Sequence, residues 1–297
     1  MASRELQQFV EHVRAAGSFD GDLMAMRKML RRTPAYPQPA DVTWEPVDAD
    51  GVPAEWVRPA DTVPGRAIVY LHGGGYATGT LDASRALFTH LARATRARLL
   101  AVDYRLAPEH PFPAAVDDAV TAFRFALASG HAAGDLALCG DSSGGGLALA
   151  TLVALRDLGE LQPAAAVALS PWTDLTLSGT SLESNRDADP MVSATTLGLM
   201  ADAYLGDGDR RAPTASPLFA DLTGLPPLLL QVGTGELLLD DTTRFAERAE
   251  AAGVDVTLEL WDDVFHVWHA FADLLPEARE AIAAIGAYLD RRLGGAS

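Results

Sequence analysis

The sequence predicts an α/β fold, in which a mostly parallel sheet has helices on both faces and a helical cap. From about Ile68 onward, short apolar runs alternate with longer helical patterns, as in βαβ units. Two glycine-rich motifs directly follow two of these runs, and two further helical segments stand outside the alternation. With 297 residues, of which 48% are hydrophobic, the chain is long enough to bury a core of this kind.

Eight segments have the composition of strands. The first two precede the alternation and are predicted to pair antiparallel at the edge of the sheet, as mixed sheets often do. The strand candidates are residues 42–47, 54–58, 67–71, 99–103, 136–139, 165–169, 228–232 and 256–260. The helical segments of the alternation are residues 84–95, 114–128, 145–158, 242–252 and 277–293. This order predicts an eight-stranded sheet.

The two remaining helical segments predict a cap. Apolar stripes at helical spacing comprise Leu6, Phe9, Val10 and Val13 near the start, and Leu197, Met200, Ala201 and Tyr204 in mid-chain, with a further helical patch at 23–30. The predicted division is 1–40 for N-terminal cap helices, 41–176 for the core, 177–213 for a cap insertion, and 214–297 for the continued core. Met24, Met26 and Met29 suit an adaptable apolar lid, although plain core packing explains them equally well.

Ser142 lies in a nucleophile-elbow motif. The run Gly-Asp-Ser-Ser-Gly-Gly at 140–145 follows the strand candidate 136–139 and opens a helical pattern. Glycines at these positions permit a strand-to-helix turn too sharp for side chains, which leaves the serine oxygen exposed at its tip. The N-terminus of the following helix favours negative charge near that oxygen.

A second glycine motif, His72-Gly73-Gly74-Gly75-Tyr76, follows the strand candidate 67–71. Such a loop can aim backbone N–H groups at the oxyanion of a tetrahedral intermediate, and His72 is expected to brace it by hydrogen bonds. A flexible turn is the simpler alternative. A phosphate-binding loop would need Gly-Lys-Ser/Thr, and Lys28 is the only lysine of the chain. Together the two motifs predict acyl-transfer chemistry.

A serine nucleophile needs a base and an acid that orients it, in the chain order Ser, Asp/Glu, His. Glu236 follows the strand candidate 228–232, and Asp240 is the alternative acid, although it also suits the first turn of a helix. His266 comes first after the last strand, whereas His269 is interpreted as a packing residue or as a hydrogen-bond donor to a residue of the site. The sequence contains no H-E-x-x-H motif and no Cys/His pair at metal-ligand spacing, so neither metal nor cofactor is expected.

Charge and composition exclude several classes. The net charge of −17 argues against a nucleic-acid partner. No uninterrupted apolar stretch reaches about 18 residues, so no membrane insertion is expected, and the first residues lack the apolar core of a signal peptide. The single cysteine, Cys139, excludes an internal disulfide, predicts a buried thiol and suits a cytoplasmic location.

With these residues, the chain resembles the hormone-sensitive-lipase family of α/β-hydrolases, the bacterial esterases with a His-Gly-Gly-Gly signature. Further matches are Asp-Tyr-Arg-Leu-Ala-Pro-Glu-His-Pro-Phe-Pro-Ala at 103–114, Ser-Pro-Trp-Thr-Asp at 170–174 and Ser-Pro-Leu-Phe at 216–219. The resemblance implies the α/β-hydrolase fold and hydrolysis of a small-molecule ester. It implies that Ser142 is the nucleophile, His266 the base and Glu236 the acid. The implied oxyanion donors are the N–H groups of Gly74, Gly75 and Ser143, with Gly73 shaping the loop.

The chain departs from the family pattern at three positions. Glu236 stands where the family usually has aspartate, and Ser143 where it usually has alanine, which leaves the backbone N–H unchanged. Trp268 replaces a small residue and is expected to narrow the acyl or alcohol pocket.

Within 103–114, Arg105 and Glu109 are expected to pair.

The resemblance leaves other activities open. A deacetylase, lactone hydrolase or amide hydrolase would use the same three residues. A non-catalytic receptor for a small ligand on this fold would lack the histidine, so the presence of His266 favours an enzyme. Relatives often pair through the last strand, which implies a homodimer through residues 256–260.

Overall fold

All eight strands form one sheet in the computed structural model, which describes residues 2–16, 22–30 and 35–294. They are β1 (Val42–Ala49), β2 (Val52–Pro59), β3 (Ala67–Leu71), β4 (Arg98–Val102), β5 (Leu136–Asp141), β6 (Ala165–Leu169), β7 (Leu228–Gly233) and β8 (Val256–Trp261). Their order is β1-β2-β4-β3-β5-β6-β7-β8, in which β2 runs antiparallel to both of its neighbours and the other pairs are parallel. The predicted α/β fold is confirmed.

The central strands are apolar because both of their faces are covered. Every residue of β3, β5, β6 and β7 is buried, which is why these strands appear in the sequence as continuous apolar runs. The edge strand β1 is mostly exposed or half-buried. β8, at the other edge, has no fully buried residue.

Helices cover both faces of the sheet. The described residues form α1 (Arg4–Ala16), α2 (Leu23–Leu30), α3 (Leu81–Thr95), α4 (Ala114–Ala128), α5 (Ser143–Asp157), α6 (Ser181–Ser184), α7 (Ala194–Leu205), α8 (Leu239–Ala251) and α9 (Pro276–Arg292). α4, α5 and α8 share one apolar core with one face of the sheet, and α3 and α9 share a second core with the other face. None of these helices is long and apolar enough to cross a membrane.

The first helix is attached to the core near the end of the sheet. Phe9 of α1 stacks on Phe265, with ring centroids 5.3 Å apart, and contacts Phe271 at 4.5 Å. Ser3, just before α1, donates its backbone N–H and its hydroxyl to the carboxylate of Glu277, at 2.7 and 3.0 Å. α1 thus packs against the segment that directly precedes His266.

The mid-chain helix α7 packs on the glycine-rich loop. Tyr204 of α7 stacks on Tyr76 with centroids 3.9 Å apart and nearly parallel rings, and its carbonyl accepts a hydrogen bond from Phe112 N. The division into cap segments 1–40 and 177–213 stays a prediction, and residues 1, 17–21 and 31–34 of the first segment lie outside the described residues.

Candidate active site

Ser142 sits at a sharp turn between β5 and α5. Its backbone has φ 53° and ψ −123°, a conformation that side chains rarely adopt. A Cβ atom at Gly140 would lie 2.2 Å from the carbonyl oxygen of Gly144, and one at Gly144 would lie 2.0 Å from that of Leu71. Only glycine fits at these two positions, so the Gly-x-Ser-x-Gly pattern is a steric requirement of the turn.

His266 bridges the serine and a carboxylate. Its Nε2 lies 2.9 Å from Ser142 Oγ, and its Nδ1 lies 2.9 Å from Glu236 Oε2. With the imidazole proton on Nδ1, this nitrogen donates to Glu236 while Nε2 accepts from the serine hydroxyl. The structure therefore brings together three residues that are up to 124 positions apart in the chain.

Glu236 is fully buried and held at both carboxylate oxygens. Its second oxygen, Oε1, accepts hydrogen bonds from Gly233 N at 2.7 Å and from Ser170 Oγ at 2.8 Å. Ser170 Oγ also accepts from Val267 N at 3.3 Å. Ser170 thus connects Glu236 to the residue after His266, a contact that the sequence did not predict, although Ser170 opens the 170–174 motif.

The alternative acid and base lie in other networks. Asp240 Oδ2 accepts from the N–H and hydroxyl of Thr180, at 2.6 and 2.7 Å, and from Ser181 N at 3.1 Å. His269 Nε2 lies 2.9 Å from Gln231 Oε1, and burial lowers the pKa of His269 to about 3. Neither residue takes part in the contacts between Ser142, His266 and Glu236.

The environment of His266 favours its protonated form. Burial lowers the pKa of this imidazole, but the hydrogen bond and charge of Glu236, together with the charges of Asp189 and Asp141, raise it above its usual value. Asp189 is itself nearly buried and accepts hydrogen bonds from Met191 N at 2.9 Å and Leu237 N at 3.1 Å. No sequence motif marks Asp189, so its position beside His266 follows only from the packed structure.

The glycine-rich loop lies beside Ser142. Gly74 and Gly75 have φ values of 124° and 61°, and a Cβ atom at Gly74 would lie 2.4 Å from the carbonyl oxygen of Thr78. Ser143, in the first turn of α5, is fully buried, and its hydroxyl accepts from Tyr76 N at 3.2 Å. The loop and the elbow are thus joined directly by a hydrogen bond.

Two further contacts shape the loop. Asp141 Oδ1 accepts from Gly73 N at 3.0 Å and from the Tyr70 hydroxyl at 2.7 Å, and burial raises the pKa of Asp141. His72 Nδ1 lies 2.7 Å from Gly73 O, and its ring stacks on Tyr104 at 4.5 Å. A Cβ atom at Gly73 would approach Asp141 Oδ2 to 2.3 Å, which explains the need for glycine there.

A cavity of about 280 Å³ lies over Ser142 and His266. The glycine-rich loop forms part of its wall. Its apolar lining comes from α2, from the segment before α7, and from α7 itself. The apolar side chains are Met26, Met29, Leu30, Met191, Val192, Leu197 and Met200. An apolar cavity that ends at a hydroxyl and an imidazole suits a small, mostly apolar molecule with one polar reacting group.

The expectation that Trp268 narrows the pocket is wrong. Trp268 is fully buried, packs against Trp261 at 5.8 Å and His269 at 3.8 Å, and is not among the residues that line the cavity. The reason is local: Val267 has a left-handed backbone, with φ 53° and ψ 44°, and the chain then enters a short 3₁₀ turn over residues 268–271. This reversal places the indole in the core.

The expected pair between Arg105 and Glu109 is also wrong. Arg105 binds Asp118 of α4 with its guanidinium at 2.7 Å and with its backbone N–H at 2.8 Å. Glu109 instead binds Arg27 of α2 at 2.5 Å. No sequence motif marks either partner: Asp118 lies 13 residues after Arg105, on α4, whereas Arg27 lies 82 residues before Glu109.

No metal or disulfide chemistry is evident in the part of the chain that the structure describes. There, no group of three or more His, Cys, Asp and Glu side chains is placed to hold a metal ion. Cys139 is buried in β5, and burial raises the pKa of its thiol well above the usual range.

Comparison with known proteins gives consistent results. Residues 68–270 match a family model described as the α/β-hydrolase fold. The chain is 49% identical to an acetyl-hydrolase of Streptomyces hygroscopicus over 241 residues, 81% of this chain and 80% of that protein. It is 39% identical to an esterase of Acinetobacter venetianus over 257 residues, 85% of this chain and 84% of that protein.

Solved structures agree with these relatives. A crystal structure of an esterase from the bacterial hormone-sensitive-lipase family is 46% identical, with a TM-score of 0.95 over 99% of this chain and 100% of that one. A structure of EstE5 soaked with p-nitrophenyl butyrate is 44% identical, with a TM-score of 0.94 over 98% of this chain and 99% of that one.

Proposed function

The chain belongs to the α/β-hydrolase family and to its bacterial hormone-sensitive-lipase group, and from this premise we propose that it hydrolyses carboxylic esters with Ser142 as nucleophile. The observation that carries the proposal is the position of His266, which lies 2.9 Å from both Ser142 Oγ and Glu236 Oε2. We assign His266 as the general base and Glu236 as the acid that orients it.

The first half of the reaction forms an acyl-enzyme. Ser142 Oγ attacks the ester carbonyl carbon while His266 Nε2 takes the hydroxyl proton, and the carbonyl electron pair moves to oxygen. The N–H groups of Gly74, Gly75 and Ser143 stabilise this oxyanion. The tetrahedral intermediate then expels the alkoxide oxygen, which takes the proton from Nε2 and leaves as the alcohol.

The second half repeats these steps with water. His266 takes a proton from water as the water oxygen attacks the acyl carbon, and collapse of the intermediate returns the proton to Ser142 Oγ and releases the acid. Glu236 keeps the imidazole proton on Nδ1 and stabilises the positive charge that His266 carries in each intermediate. Its two additional hydrogen bonds, from Gly233 N and Ser170 Oγ, hold it in place for this role.

The cavity favours short- to medium-chain acyl esters. A volume of about 280 Å³ is small for a ligand site, and apolar side chains of α2 and α7 line it. Among other substrates of the same machinery, acetyl groups are the second candidate, because an acetyl-hydrolase is 49% identical. Rates on p-nitrophenyl esters from acetate to dodecanoate, beside an O-acetyl sugar, an N-acetyl amine and a lactone, separate these substrates.

Substitution of the nucleophile tests the proposal. We expect Ser142→Ala to lower kcat on p-nitrophenyl butyrate by at least about 10⁴-fold, because the covalent route is lost. A fluorophosphonate probe should label the parent protein at Ser142 and leave the variant unlabelled. Ser129→Ala, an exposed serine after α4, is the matched control.

Near-full activity of Ser142→Ala would refute the assignment. A parent protein that binds ester analogues but neither turns over nor reacts with the probe would support the non-catalytic receptor instead.

We also propose that two copies pair through β8 and that the protein is cytoplasmic. β8 is one of the two edge strands of the sheet, and Leu260 on it is 51% exposed, which supports pairing of two sheets. The buried Cys139 thiol is compatible with a reducing compartment. Light scattering at micromolar concentration and fractionation of the source cells test these two points, and a monomer or a secreted product would contradict them.

A further inference from the structure

The guanidinium of Arg27, in α2, makes four hydrogen bonds, two to backbone carbonyls and two to a carboxylate. Its Nε donates to Ala77 O at 2.7 Å, its Nη2 donates to Ala107 O at 2.5 Å, and the two terminal nitrogens bind the Glu109 carboxylate at 2.5 and 2.8 Å. The Arg27 side chain is only 14% exposed, whereas that of Glu109 is 54% exposed. The planar guanidinium is therefore fixed by four contacts, and the ones to backbone carbonyls lie on its buried side.

The carbonyl of Ala77 belongs to the loop that carries the proposed oxyanion donors. Ala77 comes two residues after Gly75, and its own N–H donates back to Gly74 O at 3.2 Å. The second carbonyl, that of Ala107, is joined to the same loop, because Ala107 N donates to Tyr76 O at 2.9 Å. Arg27 thus binds at the junction of the glycine-rich loop and the 104–113 segment.

The neighbours of Arg27 in α2 face the cavity. Met26, Met29 and Leu30 line it, so the helix that covers the substrate space is the one that holds Ala77. α7 contacts Tyr76, the residue before Ala77, because the ring of Tyr204 stacks on that of Tyr76 with centroids 3.9 Å apart. Both cap elements therefore contact the loop immediately after Gly75.

We propose that Arg27 is a positioning residue for the ester hydrolysis proposed above. By binding Ala77 O, it holds the glycine-rich loop in the conformation that presents the N–H groups of Gly74 and Gly75 to the oxyanion. The packing of α2 over the cavity then also positions the N–H groups that bind the oxyanion. When α2 does not pack on the loop, the N–H groups of Gly74 and Gly75 do not point at the oxyanion, even though Ser142, His266 and Glu236 are intact.

Kinetics of Arg27→Met test this role. We expect kcat on p-nitrophenyl acetate and butyrate to fall about 10-fold or more, less than the loss of an oxyanion donor itself, while KM changes less than about threefold. Arg27→Lys should behave like Arg27→Met, because an ammonium cannot form the same fork of hydrogen bonds. Lys28→Met removes the same charge from an exposed site on the same helix and should keep the parent kcat.

An inhibitor that forms the oxyanion gives a second readout. Ser142 Oγ adds to the carbonyl of an alkyl trifluoromethyl ketone, the proton moves to His266 Nε2, and the carbonyl oxygen becomes an oxyanion. We expect affinity for this ketone to fall in parallel with kcat/KM in Arg27→Met. A residue that only anchors the helix would raise KM, most for longer acyl chains, and leave kcat unchanged. That result, or unchanged kinetics, would overturn the proposal.

A separate measurement tests whether each variant is folded. Thermal unfolding of each variant shows whether it is native at the assay temperature. Glu109→Gln keeps Arg27 and both carbonyl contacts and loses only the charge partner, so we expect a drop in kcat of a few-fold, in the same direction. An unchanged kcat in a folded Glu109→Gln together with an unfolded Arg27→Met would also overturn the proposal. Loss of activity in Ser142→Ala tests the proposed esterase activity whatever the Arg27 variants show.

Discussion

Three buried carboxylates, those of Glu236, Asp189 and Asp141, raise the pKa of His266 from different ranges. Glu236 makes the hydrogen bond, whereas Asp189 is bound to Met191 N and Leu237 N and acts through its charge. Burial alone lowers the pKa of His266, so the raised pKa depends on these negative charges. In the proposed mechanism, these carboxylates stabilise the imidazolium that His266 becomes in each intermediate.

In the proposed mechanism, the Asp189 charge contributes to the acid limb of the pH profile. The proposed base role requires neutral His266 for kcat/KM, and the Asp189 charge favours the protonated form, so we expect Asp189→Asn to lower the pKa of His266. The acid limb of kcat/KM on p-nitrophenyl butyrate should then move to lower pH. Asp240→Asn is the matched control, since Asp240 binds Thr180 and Ser181. A shift to higher pH in Asp189→Asn would contradict this account.

At the residue scale, the sequence predicted the positions that sterics and chain order constrain. Gly140 and Gly144 fit no other side chain, which makes the elbow recognisable. Arg27 and Asp189 carry no such mark, because their functional atoms meet backbone groups up to 80 residues away. Trp268 was misassigned because a single left-handed residue, Val267, decides which way the indole points.

At the scale of elements, α2 sets the space above Ser142. Met26 is 7% exposed and lines the cavity, whereas Met24 on the same helix is 65% exposed and does not. Met26, in the wall of the cavity, fits the explanation of an apolar lid, whereas Met24, in solvent, fits neither that explanation nor core packing.

This difference predicts a change in acyl-chain preference. Met26→Ala removes apolar volume from the wall of the cavity, and each methylene of a longer acyl chain that enters the space contributes about 0.8 kcal/mol. We expect the ratio of kcat/KM for p-nitrophenyl octanoate to that for butyrate to rise several-fold. Met24→Ala should leave the ratio unchanged, and an equal response of the two variants would show that α2 does not form the wall in solution.

The strands were more predictable than the cap. β3 and β6 have the predicted ends because each is a short apolar run buried on both faces. The stripes of α1 and α7 predicted helices, but an apolar stripe does not say which surface it covers. The partner surfaces of α1, at Phe265 and Phe271, and of α7, at Tyr76, follow only from the packed structure.

For the whole molecule, two apolar cores separated by one sheet supply the stability. Close approach of α3 and α9 closes the core on the α3 face, and Gly286 of α9 makes it possible. A Cβ atom at Gly286 would lie 2.4 Å from the carbonyl oxygen of Ala94.

We therefore expect Gly286→Ala to destabilise the protein, although helix propensity favours alanine over glycine. Propensity alone favours alanine by about 1 kcal/mol in a helix, but the clash with backbone forces the two helices apart, at a cost of about 1–3 kcal/mol. We expect a lower free energy of unfolding by urea titration, with wild-type kinetics at low temperature. Ala287→Gly, at the exposed neighbouring position, measures the propensity effect by itself. A more stable Gly286→Ala would contradict this packing.

The ring stack between Phe9 and Phe265 links the beginning of the chain to the residue next to His266, the proposed general base. Proteolytic trimming or a bulky fusion that dislodges the first helix would thus remove support from the imidazole, although some 250 positions separate them in the chain. If turnover is lost after such processing while Ser142, His266 and Glu236 are unchanged, activity depends on the packing of the first helix.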